Sequence, residues 1–288
     1  MNEAVRQMLD KYSCETRDDY LGALREILQQ LALLGLWRSK FFEHAAFYGG
    51  TALRVLHGLD RYSEDLDFSL LQAREGFELG AYGEALRREL LSFGFAVDFV
   101  AHPPNARSAI ASAFLKANTL RQMLVVRAND ERTRGIHPGE LLKIRLEVDT
   151  DPPGGFTTES RVVLLPVPFS VRVYSLPDLF AGKMHAVLCR KWKTRVKGRD
   201  WYDLVWYAGH HPHLHLAHLE ARMRHSGDWT EKTPLGPDDL HRLLRDAVRN
   251  LDVAKTRQEV ERYVRDKRPL DLWSRDFFLQ VAQRIQPA

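Results

Sequence analysis

The chain has 288 residues, 44% apolar and 28% charged, with a net charge of +4. That length supports one large domain or two smaller ones with buried cores. No apolar run is long enough to cross a bilayer, and the two cysteines, Cys14 and Cys189, form neither a disulfide framework nor a multi-cysteine zinc spacing pattern. The N-terminal MNEAVRQMLDKYSCE mixes charges of both signs and has no signal-peptide core, so a cytoplasmic location is expected. The small positive excess permits a polyanionic partner without requiring one.

Tyr20, Leu24, Ile27, Leu28, Leu31 and Leu34 recur at helical spacing and predict an amphipathic helix. AAFYGG reads as a short strand ending in glycines. TALRVLHGL then reads as a helix closed by Gly58, and EDLDFSLL as a strand. Residues 82–92 are helical in pattern; FAVDFV, RQMLVVRA, LLKIRLEVDT and RVVLLPV are strands, with PPNARS and DPPGG as loops. From Ser175 the pattern changes. SLPD offers an N-cap with Pro in the first turn and an acid three residues on, and RDWYDLVWYAG continues as a second helix ending near Gly209. The remainder is helical in periodicity. The division expected is residues 1–174, an N-terminal helix plus a mixed α/β core, and residues 175–288, a helical C-terminal domain.

Asp65 and Asp67 alternate with Leu66 and Phe68 in the EDLDFSLL strand. Side chains at i and i+2 share a strand face, so the two carboxylates point one way and the apolar pair the other. Ionised neighbours of like charge repel, and a divalent cation reverses that. Mg²⁺ is typically held by one or two carboxylates together with substrate phosphates. Gly49, Gly50 and Thr51 precede a helix whose free N–H groups favour an anion, and glycine lets the backbone approach it closely. The competing reading is a strand edge whose acids pair with Arg54 or Arg61. In KIRLEVD, Lys143, Arg145, Glu147 and Asp149 fall on one face, which suits a strand lining a cleft or a solvated face. Glu147 is the better third carboxylate, because Asp149 abuts a turn. AGKM is no P-loop: Pro177 stands where the upstream Gly belongs and Met184 where Ser or Thr belongs.

Four ordered stretches, GGTALRVLHGLDRYSEDLDF, RLEVDTDPP, YSLPDLFAGKMHAVLCR and RVKGRDWYDL, together resemble the AbiEii/AbiGii toxin family of polymerase-β-like nucleotidyltransferases. The resemblance spans roughly residues 45 to 208. It implies an α+β fold, with a nucleotidyltransferase core of mixed sheet and flanking helices followed by a helical C-terminal region. It also implies an enzyme that uses Mg²⁺ or Mn²⁺ to transfer a nucleotide from an NTP. The acceptor it implies is tRNA, modified at its acceptor end so that aminoacylation stops, and the partner a cognate antitoxin; no membrane association is implied. Carried over by position, Asp65 and Asp67 are metal carboxylates, with Glu147 as the third. Gly49, Gly50 and Thr51 form the phosphate turn, and Arg61 and Ser63 of the Arg-x-Ser-x-Asp-Leu-Asp-Phe signature belong to the nucleotide site. Lys183 matches the family lysine and Asp200 the aspartate of the Arg-Asp motif. Thr51 departs from the Ser of many members but keeps the hydroxyl.

From the residues alone, Lys183 reads either as a lysine snorkelling to solvent or as a counter-charge to a triphosphate. RKWKTRVKGR, residues 190–199, carries six basic residues in ten, which suits a solvated face or a nucleic-acid track. Asp203 reads as a local cap or pair. HHPHLHLAH has no HExxH spacing and does not read as a zinc site. Trp201, Tyr202, Trp206 and Tyr207 read as packing residues. The alternatives to tRNA are a small-molecule or protein acceptor, or a silent nucleic-acid-binding module.

Overall fold

The computed structural model describes residues 2–102, 109–118, 137, 139–190 and 197–288. The expected strand RQMLVVRA, the PPNARS loop and most of the basic run at 190–199 lie outside the described residues. The chain divides into two compact units. One comprises Met1–Leu56, Glu64–Pro152 and Ser160–Val173, the other His57–Ser63, Pro153–Glu159 and Tyr174–Ala288.

The first unit begins with α1 (Glu3–Leu9) and α2 (Arg17–Arg38). The start of α2 is fixed by a capping box: the Asp19 amide donates to Thr16 Oγ1 and the Thr16 amide to the Asp19 carboxylate. Leu24, Ile27, Leu28, Leu31 and Leu34 on α2 are all buried. β1 (Ala45–Tyr48), α3 (Gly49–His57) and β2 (Asp65–Leu70) follow, then α4 (Gly83–Ser92), β3 (Val97–His102), β4 (Ile110–Asn118), β5 (Leu141–Asp149), β6 (Thr158–Val163) and β7 (Phe169–Tyr174). The seven strands form one mixed sheet in the order β3-β4-β5-β2-β1-β7-β6. β2 runs antiparallel to β1 and parallel to β5, and β4 is antiparallel to both β5 and β3. Ala111, Ala113, Leu115, Leu142, Ile144, Leu146, Val148, Leu66 and Phe68 make a continuous buried face, while α2 packs on α4 and α4 on β3.

Two strands absent from the sequence reading complete this sheet, β4 and β7. RVVLLPV is a strand only as far as Val163, since Leu164 to Val167 leave the sheet around a cis Leu165–Pro166 bond.

The second unit is built from α5 (Leu176–Cys189), α6 (Gly198–His210), α7 (Leu216–Ser226), α8 (Pro237–Arg249), α9 (Val253–Val260) and α10 (Arg275–Gln283). It also holds a two-stranded parallel pair, β8 (His213–Leu214) with β9 (Gln286–Pro287). Phe180 of α5 stacks on Tyr207 of α6 with centroids 4.2 Å apart, and Trp201 meets Phe278 of α10 edge-on at 5.1 Å. Trp201, Trp206 and Tyr207 are core residues. Gly198 opens α6 at a point where a Cβ would stand 2.0 Å from the Thr256 carbonyl oxygen, so only glycine permits this approach of α6 to α9.

Candidate active site

Phe68 determines which way the acidic strand faces. Its ring is fully buried and meets Phe41 at 4.9 Å, Phe47 at 5.3 Å and Phe42 at 6.1 Å. A slip of one residue would turn every side chain of β2 over, and this aromatic cluster opposes it. Asp65 and Asp67 therefore lie together on the opposite face, both half-buried. β5 adds to the same face through its register: Arg145 stands beside Asp65 and Glu147 beside Asp67. The Arg145 guanidinium contacts Glu147 Oε1 at 2.6 Å. The face continues onto β4 and β3 with Ser112 and His102 in the Asp67 row, Phe114 and Val100 in the Asp65 row, and Lys116 opposite Lys143 with Asp98 beyond.

The glycine turn abuts these acids. β1 pairs Tyr48 with Asp67, and the chain then turns into α3 at Gly49, whose φ is +81°. A Cβ on Gly49 would lie 2.4 Å from Asp67 Oδ2, so the backbone approaches the carboxylate more closely than any side chain allows. Gly50 is buried in the first turn of α3. Thr51 is fully buried, and its hydroxyl donates to the backbone carbonyl of Asp65, tying the start of α3 to the start of β2. Arg54 pairs with Glu26 of α2 at 2.6 Å.

The other expected residues gather in the second unit as a buried ion cluster. Arg61, 2% exposed, donates through Nε and Nη2 to the two oxygens of Asp203 at 2.6 and 2.7 Å, and through Nη1 to the Tyr62 carbonyl at 2.9 Å. Lys183 contacts Asp203 at 2.7 Å and Asp200 at 3.1 Å. Two cations thus face two carboxylates. Burial works against ionisation of Asp200, but Lys183, Arg190 and Lys197 outweigh it and hold its pKa below the usual carboxylate value. Burial likewise opposes the Arg61 charge, and Asp203 more than restores it. Asp200 keeps one oxygen, Oδ2, buried without a hydrogen-bond partner among the described residues. Ser63 is also buried in this unit.

Asp203 is the residue that sequence reasoning underrated: it joins Arg61 to Lys183, partners far apart in the chain. Arg145 was legible as a member of the charged face, yet its pairing with Glu147 follows only from i, i+2 spacing on a strand. The histidines of HHPHLHLAH disperse to separate partners. His210 contacts the Trp206 carbonyl at 2.9 Å, His215 contacts Asp178 at 2.6 Å, and buried His218 contacts the Gly154 carbonyl at 3.2 Å.

Two half-buried strand carboxylates thus share one face of a mixed sheet, with a Gly-Gly helix start against one of them, and the family model that the chain matches is one of nucleotidyltransferases. Residues 31–281 match the family model described as "Nucleotidyl transferase AbiEii toxin, Type IV TA system", and the chain belongs to that family. Membership implies an antitoxin partner. A search of curated proteins finds no match. Among solved structures, JHP933 from Helicobacter pylori is 17% identical with a TM-score of 0.51, covering 91% of this chain and 90% of its own. At that identity the likeness establishes the fold alone. A second H. pylori protein, described as a candidate nucleotidyltransferase, is 18% identical with a TM-score of 0.47, covering 90% of this chain and 92% of its own. Among the described residues, no helix is long and apolar enough to cross a membrane.

Proposed function

We propose that the protein transfers a nucleotide from an NTP to the 3′ end of tRNA, so that the modified tRNA no longer accepts an amino acid and translation stops. Asp65 and Asp67 hold a divalent cation, Mg²⁺ or Mn²⁺, with Glu147 as the third carboxylate. The observation that carries this reading is the shared face of Asp65 and Asp67, beside Glu147 in register and against the bare backbone of Gly49. These residues fit the ion: the donors are hard oxygens, as Mg²⁺ requires. When bound, the metal supplies Lewis-acid charge to the phosphate oxygens.

The chain's own residues do the rest. Gly49 and Gly50 present backbone N–H groups at the start of α3 to the anionic triphosphate. The acceptor hydroxyl attacks the α-phosphorus and releases its proton to solvent, the bond to the bridging oxygen of the β-phosphate breaks, and pyrophosphate leaves. A nucleic-acid acceptor is favoured by the sheet face beside the acids. Lys116 and Lys143 stand directly opposite each other with Asp98 beyond Lys116, so the row keeps a net positive charge that a further anion relieves. Phe114 lies one row nearer to Asp65 and offers an aromatic surface on which a base can stack. The family resemblance assigns Lys183 and Asp200 to catalysis and Arg61 and Ser63 to nucleotide binding; these roles are part of the proposal.

The test is incubation with each labelled NTP, total tRNA and Mg²⁺, followed by separation of the RNA. Label on the 3′ end of intact tRNA is expected. The Asp67→Asn protein should fold but transfer roughly 10²–10³ times more slowly, because an amide carries no ligand charge. Label on protein or on small molecules alone overturns the tRNA reading, and unchanged turnover in Asp67→Asn overturns the metal assignment.

A further inference from the structure

The second unit contains a group of side chains that nucleotidyl transfer does not use. His185 and Cys189 lie one turn apart on α5, and Asp228 follows the end of α7, whose C-terminus is closed by Gly227 at φ +76°. One ligand atom from each, an imidazole nitrogen, the thiol sulfur and a carboxylate oxygen, lies within 4.8 Å of the other two. Among the described residues this is the group of three His, Cys, Asp or Glu side chains that converges so closely. His185 and Cys189 lie on α5 and Asp228 in the turn that ends α7, and the two helices pack directly on one another, so the spacing of the three is set by the fold.

We propose that His185, Cys189 and Asp228 bind a divalent transition metal of the zinc class, fastening the last turn of α5 to the turn after α7. The donor set selects the metal. Thiolate and imidazole together suit zinc, whereas Mg²⁺ and Ca²⁺ take oxygen ligands only. A tetrahedral ion with bonds of about 2.0–2.3 Å draws its ligands to roughly 3.3–3.8 Å from each other, so each side chain has to move by about 1 Å or less. Thiolate and carboxylate supply two negative charges and balance the ion, with Arg190 and Arg222 as the nearby cations. The Cys189 proton is released to solvent on binding. The fourth position belongs to water, since three protein ligands leave a tetrahedral site open.

Ser226 explains how the site stays intact without metal. Its hydroxyl lies 2.9 Å from His185 Nε2 and 2.7 Å from an Asp228 carboxylate oxygen, bridging two of the ligands. The Met223 carbonyl, 3.2 Å away, is its alternative acceptor. Metal entry shifts the hydroxyl to Met223 and leaves no polar group stranded. Ser226 is therefore a placeholder, and Ser226→Ala should bind metal at least as tightly as the wild type.

The experiment uses the full chain, freed of metal with a chelator and titrated with Co²⁺ as a spectroscopic substitute for Zn²⁺. One equivalent should produce a thiolate-to-cobalt charge-transfer band together with the d–d absorption of a tetrahedral ion. Cys189→Ser should abolish the charge-transfer band, His185→Gln and Asp228→Asn should weaken binding by tenfold or more, and Cys14→Ser should change nothing. Because the chain has two cysteines, this pair of variants assigns the thiolate. Asp67→Asn should bind Co²⁺ with the same band, which keeps the outcome independent of the catalytic site. On unmodified protein, Zn²⁺ at a hundredfold excess over Kd should raise Tm by roughly 5 °C, reversibly with chelator. That measurement stands even where a variant fails to fold. Absence of a thiolate band, or a band that survives Cys189→Ser, overturns the proposal.

Discussion

At the scale of single residues, the site depends on what is missing at Gly49 and on what is balanced around Lys183. Gly49→Ala places a methyl group 2.4 Å from Asp67 Oδ2 at a backbone φ of +81°. The left-handed conformation alone costs about 1–2 kcal/mol, and the clash has to be relieved by moving the carboxylate. Nucleotide transfer should then fall much further than stability, a split read by comparing initial rates with a denaturation curve. Equal rates for Gly49→Ala and wild type would mean that Asp67 need not hold its position. Lys183 behaves differently, because its ammonium contacts both Asp200 and Asp203 in a buried cluster. Lys183→Met removes the cation that contacts both carboxylates and leaves Arg61 as the direct partner of Asp203 only. Breaking a buried pair in this way costs about 3–5 kcal/mol, so the variant should unfold at markedly lower temperature. A variant that melts like the wild type yet transfers slowly would assign the lysine to the triphosphate instead. The sequence pattern around Lys183 shows apolar neighbours and leaves its partners open, because Arg61 and Asp203 reach it only through the fold.

At the scale of elements, the parts of the sheet legible in the sequence are those with large side chains. In β2, Leu66 and Phe68 alternate with acids; in β5, Ile144, Leu146 and Val148 alternate with charges, and the buried faces follow directly. β4 alternates as strictly, but its buried positions are Ala111, Ala113, Leu115 and Ala117, and alanine is a poor strand former whose small side chain hides the period. β7 escapes the pattern because FSVRVY runs straight into the SLPD helix start, whose capping signal is stronger. β8 and β9, two residues each, pair chain segments more than seventy positions apart and have no local signature. β4 matters for function, because it supplies Ser112, Phe114 and Lys116 to the face that carries the acids. Replacing Lys116 and Lys143 by Gln removes two cations from that face. Each phosphate that is no longer neutralised flattens the dependence of log affinity on log salt by about 0.7–0.9, so tRNA binding should weaken and its slope shrink by roughly 1.5. NTP binding should change little. Binding isotherms across a salt series check this; coincident slopes would remove β4 and β5 from the acceptor surface.

At the scale of the whole molecule, acid sensitivity resides in the helical unit. His218 is fully buried between Phe156, Tyr174 and His215, with its Nδ1 on the Gly154 carbonyl and its Nε2 without a partner among the described residues. Burial, reinforced by Arg222 and opposed by Asp178, lowers its pKa to about 4. Burial, with Arg222 and Arg190, does the same to His185. Since both folded pKa values lie below the unfolded value of about 6.5, the unfolded chain binds the protons. The stability contributed by the neutral rings is fully present above pH 6.5 and is lost as pH falls towards 4. For His218 the loss is about 3 kcal/mol, at 1.36 kcal/mol per pKa unit. Asp178 adds a second stage at lower pH. Burial raises its pKa, but hydrogen bonds from Thr157, Ser175 and His215 outweigh it and depress the value, so its contribution is present above pH 4 and disappears below. Chemical denaturation between pH 7.5 and 4.5 should show stability level down to about pH 6.5 and falling below it. His218→Gln removes one of the two rings with a depressed pKa; it should lower stability at pH 7.5 while making the fall roughly half as steep. A folded His218→Gln protein with the full wild-type slope would show that this ring stays neutral for no energetic reason and that the acid sensitivity arises elsewhere.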